Sequence, residues 1–133
     1  MRFGIAILSL LTALTIVDAK TTQSHVPPST GAASWYGEAH RGRLMANGKK
    51  FDPGKLTAAS WFYPLGAKIR VVHQAPGRKP RSVLVTITDR GPAKELVENG
   101  RIIDLTYAAF KRLGDPDVGL LPVILRRVES NAR

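Results

Sequence analysis

The chain has 133 residues, with 20 Lys and Arg against 10 Asp and Glu, a formal net charge of +10. That is length for one domain and a charge suited to an anionic or polyanionic environment. The absence of cysteine excludes a disulfide scaffold, a thiolate zinc site, a cysteine nucleophile and a lipid anchor on an N-terminal cysteine.

Met1 and Arg2 precede an uncharged, largely apolar run over residues 3–17. The run is too short to span a bilayer and ends in Val17-Asp18-Ala19, a small-residue cleavage site, so residues 1–19 read as a secretory signal peptide. Its removal takes away one Arg and one Asp and leaves the charge at +10. Residues 20–31, KTTQSHVPPSTG, are polar with a proline pair and predict an extended tether. The folded domain is expected over 32–128, with 129–133 as a short tail too small for a further wall-binding repeat.

Within the domain, twelve glycines and nine prolines in the whole chain predict tight turns between short strands. Strands are expected over 32–36, 56–59, 68–72, 82–88 and 123–128. Val83, Val85 and Ile87 fall on one face of the fourth, with Leu84 leaving the other face partly apolar. The intervening basic stretch 73–81 carries Pro-Gly and bracketing prolines, the signature of a hairpin loop. One helix is expected over 106–113, capped by Thr106, with Leu105, Ala109, Phe110 and Leu113 on its apolar face and Gly114 as its stop. Five or six strands with one short helix predict a small, mainly β barrel.

The strings Ala33-Ser34-Trp35-Tyr36-Gly37, Ala46-Asn47-Gly48, Phe51-Asp52, Leu56-Thr57-Ala58-Ala59, Pro64-Leu65-Gly66, Asp89-Arg90-Gly91-Pro92 and Arg101-Ile102-Ile103-Asp104-Leu105 occur in that order. Together they resemble the rare lipoprotein A (RlpA) domain from about Ala32 to Val128. The resemblance implies a six-stranded double-psi β-barrel, the fold of expansins, barwin-like proteins and family 45 endoglucanases. It also implies an exported endolytic lytic transglycosylase with a role in cell wall organisation. Such an enzyme cleaves MurNAc-GlcNAc linkages, forms 1,6-anhydro-MurNAc ends and prefers glycan strands without stem peptides. Fold alone does not license that transfer.

The reaction needs an acid for the leaving oxygen and a base for the muramoyl 6-hydroxyl proton, and no metal or cofactor. The resemblance places the catalytic Asp, the expected general acid, at Asp89, at a strand end before a turn. It gives a second carboxylate at Asp104, matching an Asp of expansins and family 45 endoglucanases. Structural roles compete with both: turn-amide bonding for Asp89, helix N-terminal stabilisation for Asp104. Two positions depart from the family, Lys49 where a Glu is usual and Ser60 where a His is usual, and neither replacement supplies the lost acid-base chemistry. Glu38 and His40 read as parts of a solvated loop, and His73 as a surface histidine. Tyr36, Asn47, Arg90, Trp61 and Tyr63 are the expected sugar contacts, because aromatic faces stack on sugar C-H faces while polar groups meet hydroxyls. At least one of Trp61, Phe62 and Tyr63 is expected to be exposed, and Trp35 is read as barrel core.

The alternative reading is a non-catalytic, expansin-like module that binds and loosens wall glycan. Scattered basic residues and the expected signal peptide argue against nucleic acid. The partner expected is peptidoglycan, met by a monomer without a stable membrane anchor.

Overall fold

The computed structural model describes residues 26–129. The expected signal peptide, the first half of the expected tether and the last four residues lie outside them. Strand-forming alternation decides the architecture. In β4 (Arg81–Asp89) Val83, Val85 and Ile87 turn inward and are buried, while Leu84 faces out at 37% exposure. Ile69 and Val71 of β3 (Lys68–His73) and Val123 and Leu125 of β6 (Leu121–Val128) do the same.

With β1 (Thr30–Tyr36), β2 (Thr57–Ala59) and β5 (Arg101–Thr106), the strands close into a barrel in the order β1-β5-β2-β4-β3-β6. β1 pairs with β5 in parallel, as β2 does with β4, and the other contacts are antiparallel. Closure leaves no strand edge unpaired around the core. β3 and β4 form the expected hairpin, paired as far as His73 with Arg81.

Four details differ from the sequence expectations. β1 begins at Thr30, because Thr30 and Gly31 pair with Ile124 and Val123 of β6; the expected tether gives its last two residues to the barrel. β5 is a full strand, buried on both faces around Asp104, so it shows no two-residue alternation to read. Among the described residues there are two α-helices and not one. The added helix, α1 (Lys94–Glu98), is a single turn with no side-chain cap and no buried residue, hence no apolar stripe. Finally, Gly114 ends the second helix, α2 (Tyr107–Leu113), in extended backbone at φ −172°. Its lack of a side chain matters for space, since a Cβ there would lie 3.0 Å from Leu121 Cδ1.

α2 is held as expected. The Thr106 hydroxyl oxygen accepts from the Ala109 amide at 3.3 Å, and the same hydroxyl donates to the Lys55 carbonyl at 2.6 Å, tying the helix start to the loop before β2. Ala109, Phe110 and Leu113 sink into the core beside Ile103 and Leu105. Trp35 packs against Phe110 and donates its indole N–H to the Pro116 carbonyl at 2.8 Å. Phe110 has no exposed surface, so Phe110→Ala is expected to cost about 3–5 kcal/mol. The check is a lower denaturant midpoint at unchanged m-value.

Candidate active site

β2 has only three residues, yet it is bonded on both sides. Ala59 pairs with Asp89 of β4 on one edge and with Asp104 of β5 on the other, and Asp104 pairs in turn with Ser34 of β1. Ser34, Asp104, Ala59 and Asp89 thus form a row across four adjacent strands, with the two aspartate backbones about 10 Å apart at ordinary strand spacing. The residues between and beside them, Ala59 and Gly91, are small. A Cβ on Gly91 would lie 3.2 Å from Asp104 Oδ2 and 3.3 Å from the Ala59 methyl.

The two carboxylates are held differently. Asp89 Oδ1 accepts from the backbone amides of Ala46 at 2.9 Å and Arg90 at 2.8 Å. Its carbonyl accepts from the Ser60 amide at 3.1 Å. Asp89 Oδ2 accepts nothing from the described residues. Asp104 takes the Ser34 hydroxyl on Oδ1. Burial pushes the Asp104 carboxyl above the usual Asp range, against the opposing pull of the Ser34 hydroxyl, Arg101 and His40.

Tyr36 completes the constellation. Its ring stacks on Phe51 with centroids 4.2 Å apart, and its hydroxyl is buried with no partner among the described residues. Burial, then the charges of Asp89 and Asp104, push its ionisation far above the ordinary tyrosine value, so it keeps its proton in the field of both carboxylates. His40 belongs here too, and the reading of it as a solvated loop residue is corrected. It sits edge-on to Tyr36 at 5.7 Å, its Nδ1 is buried without a partner among the described residues, and its charge acts on Asp104. The available signal was spacing: a short 3-10 turn over Glu38–His40 returns the chain onto the Tyr36 ring. Glu38 does remain exposed, paired with Arg41.

Of the other expected contacts, two are corrected outright. Arg90 turns away from the row, and its Nη1 donates to the carbonyls of Ser60 at 2.8 Å and Tyr63 at 2.7 Å, so it staples the segment after β2. Tyr63 is a core residue whose hydroxyl reaches the Pro28 carbonyl at 3.5 Å, leaving no face for a sugar. Trp61 is the exposed member of the aromatic triplet at 45%. It is anchored by its indole N–H to the Pro92 carbonyl at 2.6 Å and carries the Lys94 ammonium 5.4 Å from its ring. Asn47 is a neighbour of the site: its amide donates to the Thr88 carbonyl at 3.1 Å, while its side-chain oxygen accepts from the Lys49 amide at 3.0 Å. Ser60 is fully buried, its hydroxyl engaged with the Ile102 carbonyl and the Phe62 amide. Lys49 is exposed beside the site, and His73 lies at the hairpin end of β3, away from Asp89.

A family model described as "Lytic transglycolase" matches residues 28–125. The chain belongs to this lytic transglycosylase family. Among relatives of the family, it is 39% identical over 99 residues to a protein of Synechocystis sp. named "Probable endolytic peptidoglycan transglycosylase RlpA", covering 74% of this chain and 29% of that one. It is 37% identical over 99 residues to the "Endolytic peptidoglycan transglycosylase RlpA" of Pseudomonas aeruginosa, covering 74% and 27%. The chain therefore spans less than a third of the length of these two relatives. Among solved structures it is similar to the expansin of Clavibacter michiganensis at a TM-score of 0.56 and 24% identity, covering 79% of this chain and 52% of that one. The fold is the double-psi β-barrel, mainly β with six strands, as the resemblance implied.

Two outcomes follow from this geometry. Arg90→Ala is expected to lose about 2 kcal/mol of stability, as loss of a half-buried, charge-assisted staple should, with Asp89→Asn near wild type in the same melt. For Asp104, folding raises the pKa, so stability is lost as pH rises from the unfolded value near 3.8 through the folded one. Asp104→Asn should therefore raise Tm at pH 7.5, with the difference vanishing below that lower value.

Proposed function

We propose that the chain is an endolytic peptidoglycan lytic transglycosylase, cleaving MurNAc-GlcNAc linkages with formation of 1,6-anhydro-MurNAc and preferring strands stripped of stem peptides. The observation that carries this reading is the carboxylate row: Asp89 and Asp104 flank Ala59 in register. In the family resemblance Asp89 is the catalytic aspartate.

Burial favours the protonated form of Asp104, so in this scheme the acid role passes from Asp89 to Asp104. In the reaction the pair shares one proton, resting on Asp104. That proton goes to the glycosidic oxygen as the C1–O bond breaks. The muramoyl 6-hydroxyl then bonds to C1, closing the anhydro ring, and its proton goes to the unpartnered Oδ2 of Asp89. After product leaves, Asp89 gives up that proton to solvent and Asp104 takes one back, which restores the starting state; no water is consumed. Asn47, at the mouth, and Trp61, at the rim, supply polar and stacking contacts to the glycan. The enzyme works as an exported monomer at the cell wall, where its positive charge favours adhesion to an anionic matrix.

One observation favours the second reading, a glycan-binding module without turnover. Where the family carries Glu and His, Lys49 is a cation and Ser60 is sealed in the core. Mass analysis of products from stem-free glycan strands separates the two. The expected result is anhydro-muramoyl ends from wild type, falling by about a thousandfold or more in Asp89→Asn and in Asp104→Asn. Binding without product would establish the non-catalytic module, and reducing ends would mean hydrolysis. Parallel digestion of strands bearing stem peptides should run more slowly.

A further inference from the structure

The loop that clamps Asp89 also walls a second cavity. On the outer side of β2 and β4 a space of about 470 Å³ is lined by the exposed lysines Lys49, Lys50 and Lys55 and by Thr57, Thr86 and Thr88. Lys68, next to the lining, donates to Thr86 Oγ1 at 2.5 Å. The one acid in the lining, Asp52, is already engaged through Oδ1 by the Gly54 amide at 2.8 Å and by Arg41 at 3.4 Å. None of the four lysines is in an ion pair among the described residues. Several ammonium groups and hydroxyls converging on a concave surface with one occupied acid suit an anion.

The position of the cavity narrows the choice of anion. The Ala46 amide bonds Asp89 Oδ1 and the next amide, that of Asn47, bonds the Thr88 carbonyl, so the cavity wall and the catalytic carboxylate are set by the same two peptide groups. Asn47 and Thr88, the chain neighbours of Ala46 and Asp89, both line the cavity, so its wall adjoins the catalytic carboxylate along the chain. Each MurNAc of a stem-free strand carries a lactyl carboxylate that a stem peptide would otherwise convert to a neutral amide. We propose that the Lys49, Lys50 and Lys55 cavity is a carboxylate subsite that takes the free lactyl group of a stem-free MurNAc. This rests on the glycan reading above and deepens it. It also gives the Lys49 departure a role: a Glu at that position would repel the group that a Lys attracts.

The test compares two ligands on full-length protein carrying Asp89→Asn to prevent turnover. One is stem-free glycan strands; the other is the same strands with their lactyl carboxyls amidated by methylamine. Calorimetric titration is expected to show about tenfold or greater preference for the charged strands at low salt, shrinking as salt is raised. In Lys49→Gln/Lys55→Gln the preference should fall to about one, with affinity for the amidated strands unchanged, which separates loss of the subsite from loss of the fold. Equal affinity for the two ligands, or a preference that survives the double substitution, overturns the subsite; anhydro ends from wild type would then leave the transglycosylase reading standing. No binding to either strand overturns both.

Discussion

Ala59 is bonded to β4 and β5 at once, and the rest of the site depends on that double pairing. A strand of three residues cannot hold itself straight; it is fixed because Asp89 and Asp104 lie beside it in register. The same pairing separates the two carboxylates by the width of one strand and puts a methyl group between them, where a larger side chain would fill the space. Gly91, with no side chain, keeps the other wall of that space low. The catalytic proposal therefore rests on backbone hydrogen bonds more than on side-chain choice, and these are the part of a small barrel least able to drift.

The site works against the fold's electrostatics. A charge of +10 favours ionised carboxylates in general, yet Asp104 is pushed the other way by burial, and Tyr36 is left with a hydroxyl that finds no partner among the described residues. His40 adds a second buried, unpartnered polar atom within the same cluster. Unsatisfied groups of this kind cost stability. Their concentration on one face of one row, beside a core of Ile, Val, Leu and Phe that is otherwise closed, is the pattern expected when a site holds groups ready for a ligand.

Much of the fold was legible where periodicity was clean. The inward alternation of β4, the hairpin that follows β3, and the Thr106 cap with its Ala109, Phe110 and Leu113 stripe all carry their geometry in the spacing of residues. β5 and α1 were not legible for opposite reasons. Ile102, Ile103 and Leu105 are buried on both faces of β5, so no polar face marks the strand; α1 buries nothing, so no apolar face marks the helix. In the site, Asp89 and Asp104 were visible as short strings, but residue type does not give direction. Arg90 has the chemistry of a sugar ligand and the geometry of a staple, because two carbonyls of the preceding segment lie closer than any solvent-facing partner. Trp61 and Tyr63, both expected as sugar contacts, would share a side of an extended segment, but the chain bends over 61–63, which leaves Trp61 exposed and buries Tyr63. His40 was missed because its neighbour in space, Tyr36, is joined to it by a turn and not by a strand.

The place of β1 in the barrel sets an order on the chain's maturation. β1 is made first, but its partners are β5 and β6, from the last third of the domain. The β3–β4 hairpin is built from local pairing, and among the described residues it is the only pair of sequence-adjacent strands bonded to each other. Every other seam joins segments separated by at least one intervening strand, so ring closure is a late, all-or-nothing event dominated by non-local contacts. Until residues 101–128 are available, the strand carrying Ser34 and Tyr36 has nothing to pair with, and the carboxylate row does not exist in part: it assembles whole when the ring shuts.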